Sequence, residues 1–261
     1  MNRHGFTLLA VLWVLTALTA LTGAGVLVAR LGSETTRNRV LLARAEWARE
    51  ACGEILLARF AVNPSIRALD TIDLGRATWC RATIEDPATK LNLNSADRVA
   101  VVQLFRVLGV EEALAESVVV QRTRGILYDA RQIPGLDSIA ARRLMPFVTV
   151  RGTGVVNVNA APPEVLRTLP GMTEECVFLL TTRRALRPLH SADELAGLLS
   201  RSSRAVLLSG YAEFVRAAVF APPQLIVMVE GGVGGTPILA RATLTTVPVP
   251  GRLAVIHRET E

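Results

Sequence analysis

From Phe6 to Ala29 the chain carries no charged residue, and nothing else in the sequence restricts its fold so sharply. These 24 residues, at 1.5 Å each, make a helix of about 36 Å, long enough to cross a hydrocarbon core of about 30 Å. Helix-compatible sequence continues beyond the apolar run. Leu41, Ala45, Ala48, Cys52 and Ile55 recur at steps of four and three and so form one apolar stripe. Asn63-Pro64 ends the pattern, because the residue before a proline is pushed out of the helical region. The spacing predicts one helix from Phe6 to about Val62, roughly 85 Å long. Its first half is suited to lipid, and its second half has one face to bury against a domain.

What precedes the run is short. Met1 to His4 form a polar leader, and Gly5-Phe6-Thr7-Leu8 joins it to the apolar helix. Cutting after Gly5 would free Phe6 as a new N-terminus and leave the whole helix attached. A secretory signal peptide would instead have an apolar core of about 7 to 15 residues and a small-x-small cleavage site, and this run is longer. A plain single-pass anchor is the other reading. Flanking charge does not favour placing the C-terminal region outside the cytoplasm. Arg3 precedes the span, whereas Arg30, Arg37, Arg39 and Arg44 follow it, so a count of positive residues argues for the opposite topology.

The HGFTLL leader and the long two-part helix resemble the type IV pilins and the type II secretion pseudopilins. In that family the processed N-terminal helix packs with its neighbours into a fibre. The resemblance implies cleavage after Gly5 by a prepilin peptidase and N-methylation of Phe6. Relatives carry an acid at the fifth mature position, where this chain has Ala10, and that acid neutralises the charged N-terminus of a neighbouring subunit. A buried ammonium without a partner costs several kcal/mol, so a subunit joining beneath another needs the acid. A subunit at the tip has no neighbour above it, and Ala10 fits that place.

Beyond the helix, Ala77 to Glu85 alternates as a half-buried strand does, with Cys80, Ala82 and Ile84 on one face and Trp79, Arg81 and Thr83 on the other. Two similar segments follow, NLNSADRVAVVQLFRVLG from Asn92 and NVNAAPPEVLRTLPG from Asn157. Gly109 and Gly171, Arg122 and Arg184, and Gly135 and Gly197 are each 62 residues apart, while Asn92 and Asn157 differ by 65. One three-residue length difference brings the copies into register, which marks an internal repeat. Asn159 or Ala160 is expected to cap a helix that begins at Pro162-Pro163.

QIPGLDSIAARRL from Gln132 and TLPGMTEECVFLL from Thr168 resemble helix-hairpin-helix units, which serve either as clamps on a DNA backbone or as packing modules. The clamping form needs a second glycine two residues after the first, so that backbone N–H groups can approach a phosphate at a helix N-terminus. Asp137 and Thr173 stand there instead. Glu174 and Glu175 fill the first turn of the following helix, where they suit the helix dipole and would repel a phosphate. Arg142, Arg143, Arg183 and Arg184 lie toward the far ends of these helices, where positive charge is favourable for structural reasons. The formal charge of +6 does not overturn this, because the arginines are spread along the whole chain. Packing, without nucleic acid, is the expectation.

The tail alternates in apolar runs, EFVRAAVF, QLIVMVE, ILARATLTTV and RLAVIH, broken at Pro222-Pro223, Gly231 to Pro237 and Pro248 to Gly251, which reads as an antiparallel meander. GGVGGTP from Gly231 lacks the Gly-Lys-Ser/Thr of a phosphate loop. No catalytic constellation emerges. His4, His190 and His257 are scattered, with no HExxH or GxSxG, so the chain is read as a non-enzyme. Ser191 and Glu194 after His190 form a capping box. Glu85-Asp86 and Asp70 with Asp73 are acid pairs without EF-hand spacing. Cys52, Cys80 and Cys176 make no metal pattern, leaving either buried thiols or one Cys52 to Cys80 bridge in an oxidising compartment.

Over nearly the whole chain these segments resemble the minor pseudopilins K of type II secretion. The expected fold class is α+β: a pilin-like long N-terminal helix packed on an antiparallel sheet, with a large inserted helical domain of two helix-hairpin-helix-like repeats. The expected divisions are a leader over 1–5, a transmembrane half-helix over 6–29, a pilin-like domain over 30–91 and 210–261, and an insertion over 92–209 with repeats 92–150 and 155–209. The resemblance implies an inner-membrane, single-pass protein with its C-terminal region in the periplasm. Implied partners are the minor pseudopilins I and J, the prepilin peptidase and the inner-membrane assembly platform. No cofactor is assigned; some relatives bind calcium, but no ligand residue carries over. The alternatives are a membrane-anchored DNA receptor of the ComEA type and a minor pilin of a type IV pilus.

Overall fold

The computed structural model describes residues 3–260, with side chains described from Val11 onward. One unbroken helix, α1 (Arg3–Val62), opens the chain. Its 60 residues reach about 90 Å. It ends where Asn63-Pro64 predicts: the Asn63 N–H closes the last turn on the Arg59 carbonyl at 2.8 Å, and Asn63 Oδ1 accepts from the Ser65 N–H at 3.0 Å. A hairpin follows, β1 (Ala68–Gly75) and β2 (Thr78–Glu85).

Residues 86–224 are then inserted. They contain β3 (Leu91–Asn92), α2 (Arg98–Val107), α3 (Glu112–Arg124), α4 (Ser138–Leu144), β4 (Val148–Thr149), β5 (Val156–Asn157), α5 (Pro163–Leu166), α6 (Glu174–Arg184), α7 (Ala192–Leu198), α8 (Arg201–Ser209), α9 (Tyr211–Ala217) and β6 (Ala218–Val219). The chain returns to the sheet with β7 (Leu225–Val233), β8 (Leu239–Val249) and β9 (Arg252–Thr260). The sheet order is β1-β2-β7-β8-β9, antiparallel throughout, so β2 and β7 are sheet neighbours despite the insertion between them. The expected α+β arrangement of a long helix on an antiparallel sheet is what is observed.

Two separate cores result. In the first, the α1 stripe packs on the sheet: Ala48, Cys52, Leu56 and Phe60 meet Cys80, Ala82, Ile84, Val227, Val229 and Leu244. Helix and sheet come closest at Gly231, where a Cβ would stand 2.3 Å from the Ala45 carbonyl oxygen and 2.4 Å from the Arg49 nitrogen. Glycine is there so that two backbones can approach. Cys52 and Cys80 are joined across this layer as a disulfide, which decides between the two thiol readings; Cys176 is free and buried. The second core is helical and holds Phe105, Leu144, Leu166, Leu180, Leu195 and Phe214.

Four expectations change. EFVRAAVF is not a strand of the sheet: it is helix α9, and Phe214 is buried among the inserted helices, with only Ala218–Val219 extended. Strand β1 was not foreseen, because a register shift between Leu69 and Ile72 breaks its alternation. The Gly231 to Pro237 break is shorter than expected, since β7 runs on to Val233 and the turn itself uses Gly235 at φ +74°. Neither Asn159 nor Ala160 caps α5; Pro162 is its N-cap, and Asn159 has another task.

Candidate functional site

The first candidate surface is α1 itself. Every residue from Val11 to Val40 is exposed, and the helix starts to pack on the rest of the fold at Leu41, which with Ala45 meets Val233 and Ala240. Within the apolar part, Thr16, Thr19 and Thr22 donate their hydroxyls to the carbonyls of Leu12, Leu15 and Leu18 at 2.9–3.0 Å. Their polar groups are thus satisfied inside the helix, as lipid requires. Among the described residues this is the one helix long and apolar enough to cross a membrane. Gly5, Phe6 and Ala10 fall in its first turns, but the surroundings of these three lie outside the described residues.

The second is the inserted module, whose two halves are held by matching asparagine and arginine clamps. Asn94 Nδ2 donates to the carbonyls of Leu127 (2.9 Å) and Val150 (3.0 Å), and its Oδ1 accepts from the Leu127 N–H. Asn159 does the same with Leu189 (2.8 Å), Phe220 (2.7 Å) and the Leu189 N–H. Arg122 Nη1 donates to the carbonyls of Leu93 and Ala96; Arg184 Nη1 donates to those of Val158 and Ala161. Each half is closed by a short parallel strand pair, β3 with β4 and β5 with β6. The three-residue difference falls between the clamp asparagine and the hairpin glycine, 15 residues from Asn94 to Gly109 and 12 from Asn159 to Gly171, the stretches that hold α2 and α5. Arg184 is therefore a partly buried clamp, and the burial pushes its guanidinium down from its ordinary value.

The N-termini of the helices that follow the two hairpin glycines, α4 and α6, are filled by the protein's own side chains. Gly135 (φ +82°) and Gly171 (φ +71°) make the turns. Asp137 then accepts from the N–H groups of Ile139 and Ala140, and Thr173 accepts from that of Cys176. Glu175 accepts from the Ser200 N–H and from the hydroxyls of Ser200 and Ser203, which hold its carboxyl below the usual range. Glu174 pairs with Arg167, whose hydrogen bond lowers it as well. Of the other arginines singled out, Arg143 donates to the Gly109 carbonyl at 3.2 Å. Only half of the expected capping box forms: Ser191 Oγ accepts from the Glu194 N–H, while the Glu194 carboxylate accepts from the His190 N–H, one residue before the N-cap.

The two units meet at a built junction. Asp86 Oδ1 accepts from the Ala88 N–H at 2.9 Å and Oδ2 from Asn157 Nδ2 at 2.8 Å, which ties the exit of β2 to the second repeat. Burial raises this carboxyl above the ordinary aspartate value, and the two hydrogen bonds only partly offset it. Gly152 sits where a Cβ would touch Pro87 at 3.0 Å. Three of the acids considered for a cation have partners: besides Asp86, Glu85 pairs with Lys90, and Asp73 Oδ1 accepts from the Gly75 N–H. Among the described residues no three His, Cys, Asp or Glu side chains gather into a metal site. The clamps Asn94, Asn159 and Arg122 were not assigned from sequence; the repeat register that aligned them was the available signal.

No family model and no curated protein matches the sequence. Among solved structures, the chain is similar to a chain of the GspK-GspI-GspJ complex from the type 2 secretion system of enterotoxigenic Escherichia coli. Identity is 13%, the TM-score is 0.59, and the match covers 87% of this chain and 99% of that chain. The fold is pseudopilin-like. At this identity the likeness speaks for architecture, and because it covers 87% of this chain it includes most of the inserted residues 86–224.

Proposed function

We propose that this chain is a minor pseudopilin of the K type in type II secretion, a non-enzymatic subunit at the tip of the periplasmic pseudopilus that helps start its assembly for export of folded proteins. The observation that carries the reading is the division of α1: Val11 to Val40 is wholly uncovered, while Ala45 to Phe60 is packed on the sheet. An apolar rod of this kind needs lipid first and neighbouring helices afterwards. The leader is cut after Gly5 by the prepilin peptidase, and Phe6 is methylated. Ala10 leaves the new N-terminus of a neighbour without an acid, which only a subunit with nothing above it tolerates. The inserted repeats, helix-hairpin-helix-like units used for packing, supply bulk that hinders addition above.

The similar solved chain belongs to a complex of GspK with GspI and GspJ, which supports minor pseudopilins I and J as partners, with the inner-membrane platform beneath them. The Cys52–Cys80 bridge supports an oxidising compartment for the folded region, hence the periplasm, against the arginine count that favours the reverse topology. No metal residue is assigned. Replacing Gly5 by arginine in cells that hold the secretion system tests the processing step. The variant is expected to run as an uncut precursor on an immunoblot, and mobility equal to that of the mature wild type rejects the claim.

A further inference from the structure

The apolar run ends at Ala29, and arginines follow at once on α1: Arg30, Arg37 and Arg39, with Arg44 further on. Arg30, Arg37 and Arg44 are spaced by seven, so they lie along one side of the helix. Arg30, Arg37 and Arg39 are exposed, and among the described residues none of these three is in an ion pair. Arg37 and Arg39 also line a groove of about 760 Å³ between α1 and the β7–β8 turn, with Leu41, Leu42 and Ile238 as apolar wall and Glu34 at its margin. Cations beside apolar wall, directly above a lipid-sized helix, are the chemistry of an anionic amphiphile.

We propose that this collar binds the headgroups of anionic phospholipids on whichever side of the membrane the folded region lies. The inference rests on the membrane-crossing reading of α1. Arg30 stands at the hydrocarbon edge. Arg37 and Arg39 are roughly 12 and 15 Å above Ala29 along the helix. A headgroup layer is about 5–7 Å deep. The Arg37 stem is long enough to bring its guanidinium down to this layer, and Arg39, about 3 Å further up, acts on it through its charge. Unpaired arginines at this height lie within a Debye length of about 10 Å of the phosphates, so the attraction is not screened away. The groove gives the collar a direction, because on that side a lipid has wall to lie against. The negative Glu34 lies next to the pair and reduces the net charge without cancelling it.

The test uses the full-length chain in phosphatidylcholine bilayers doped with spin-labelled phosphatidylglycerol or spin-labelled phosphatidylcholine, reading the motionally restricted lipid fraction by electron paramagnetic resonance. The expected result is preferential restriction of phosphatidylglycerol, falling toward parity in a R30Q/R37Q/R39Q variant and at high salt, at about fivefold per arginine removed. Equal restriction of both lipids by the wild type overturns the proposal, as does a preference that survives the triple substitution. If neither lipid is restricted, it is the membrane-crossing reading of α1 that fails. Parity between lipids together with loss of subunit association in the triple variant would assign the arginines to a protein partner and overturn the lipid reading.

Discussion

At the scale of single residues, Gly231 carries a sharp prediction. An alanine there would put a methyl group 2.3 Å from the Ala45 carbonyl and force α1 off the sheet. Gly231→Ala should cost about 1–3 kcal/mol or more, as overpacking does. Gly53→Ala is the control, because its Cβ would meet only Val229 and Leu244 methyls at 3.9–4.0 Å, and it should be neutral or stabilising. Denaturant unfolding of the two variants checks both signs. Asp86 gives a pH prediction. Its raised carboxyl means that the folded state favours the protonated form, so its contribution to stability is full below the unfolded value and is lost as pH rises through the folded one. Asn157→Ala removes a hydrogen bond that lowers Asp86, and carboxyl-carbon NMR should show it titrating higher still; a fall would contradict the assignment. Glu175 runs the other way, with stability present above its ordinary value and lost as pH falls. What was legible at this scale was local. Ser191 with Glu194 could be read because cap and partner are neighbours, whereas the partners of Asn94 are 33 and 56 residues away.

Between elements, the strongest tie is covalent. The Cys52–Cys80 bridge joins α1 to β2 over a separation of 28 residues. A closed loop of that length restrains the unfolded chain by about 3–4 kcal/mol. A Cys52→Ala/Cys80→Ala variant should lose stability of that order in denaturant melts, and a wild-type midpoint unmoved by reductant would contradict it. The α1 stripe and the strands at 78–85 and 239–249 were legible because period and burial agree along them, and those at 225–233 and 252–260 because proline and glycine breaks bound their apolar runs. Two elements were not, for different reasons. In β1 the shifted register defeats a period-two reading. In EFVRAAVF the apolar residues run nearly continuously, and periodicity cannot separate a buried helix from a buried strand there. The outcome depends on Phe214, which has a place in the helical core and none under the sheet.

For the whole molecule, the order of helix, strand, helical block and strands could be read as an insertion into one sheet, but the block between adjacent strands β2 and β7 is residues 86–224, wider at both ends than the expected 92–209. How the block is held could not be read, because the contacts that fix it are Asp86 on Asn157, Gly152 against Pro87 and Arg151 near Thr243 and Glu259, all distant in sequence. That clamped block, next to a rod whose N-terminal half is bare, is the physical basis for the proposal that the chain ends a fibre. The most direct test is to assemble pseudopili containing this subunit with a gold-binding tag on the β8–β9 turn and to map the tag along individual fibres by electron microscopy. One label at a single end of each fibre is the predicted result; labels distributed along the shaft would contradict it.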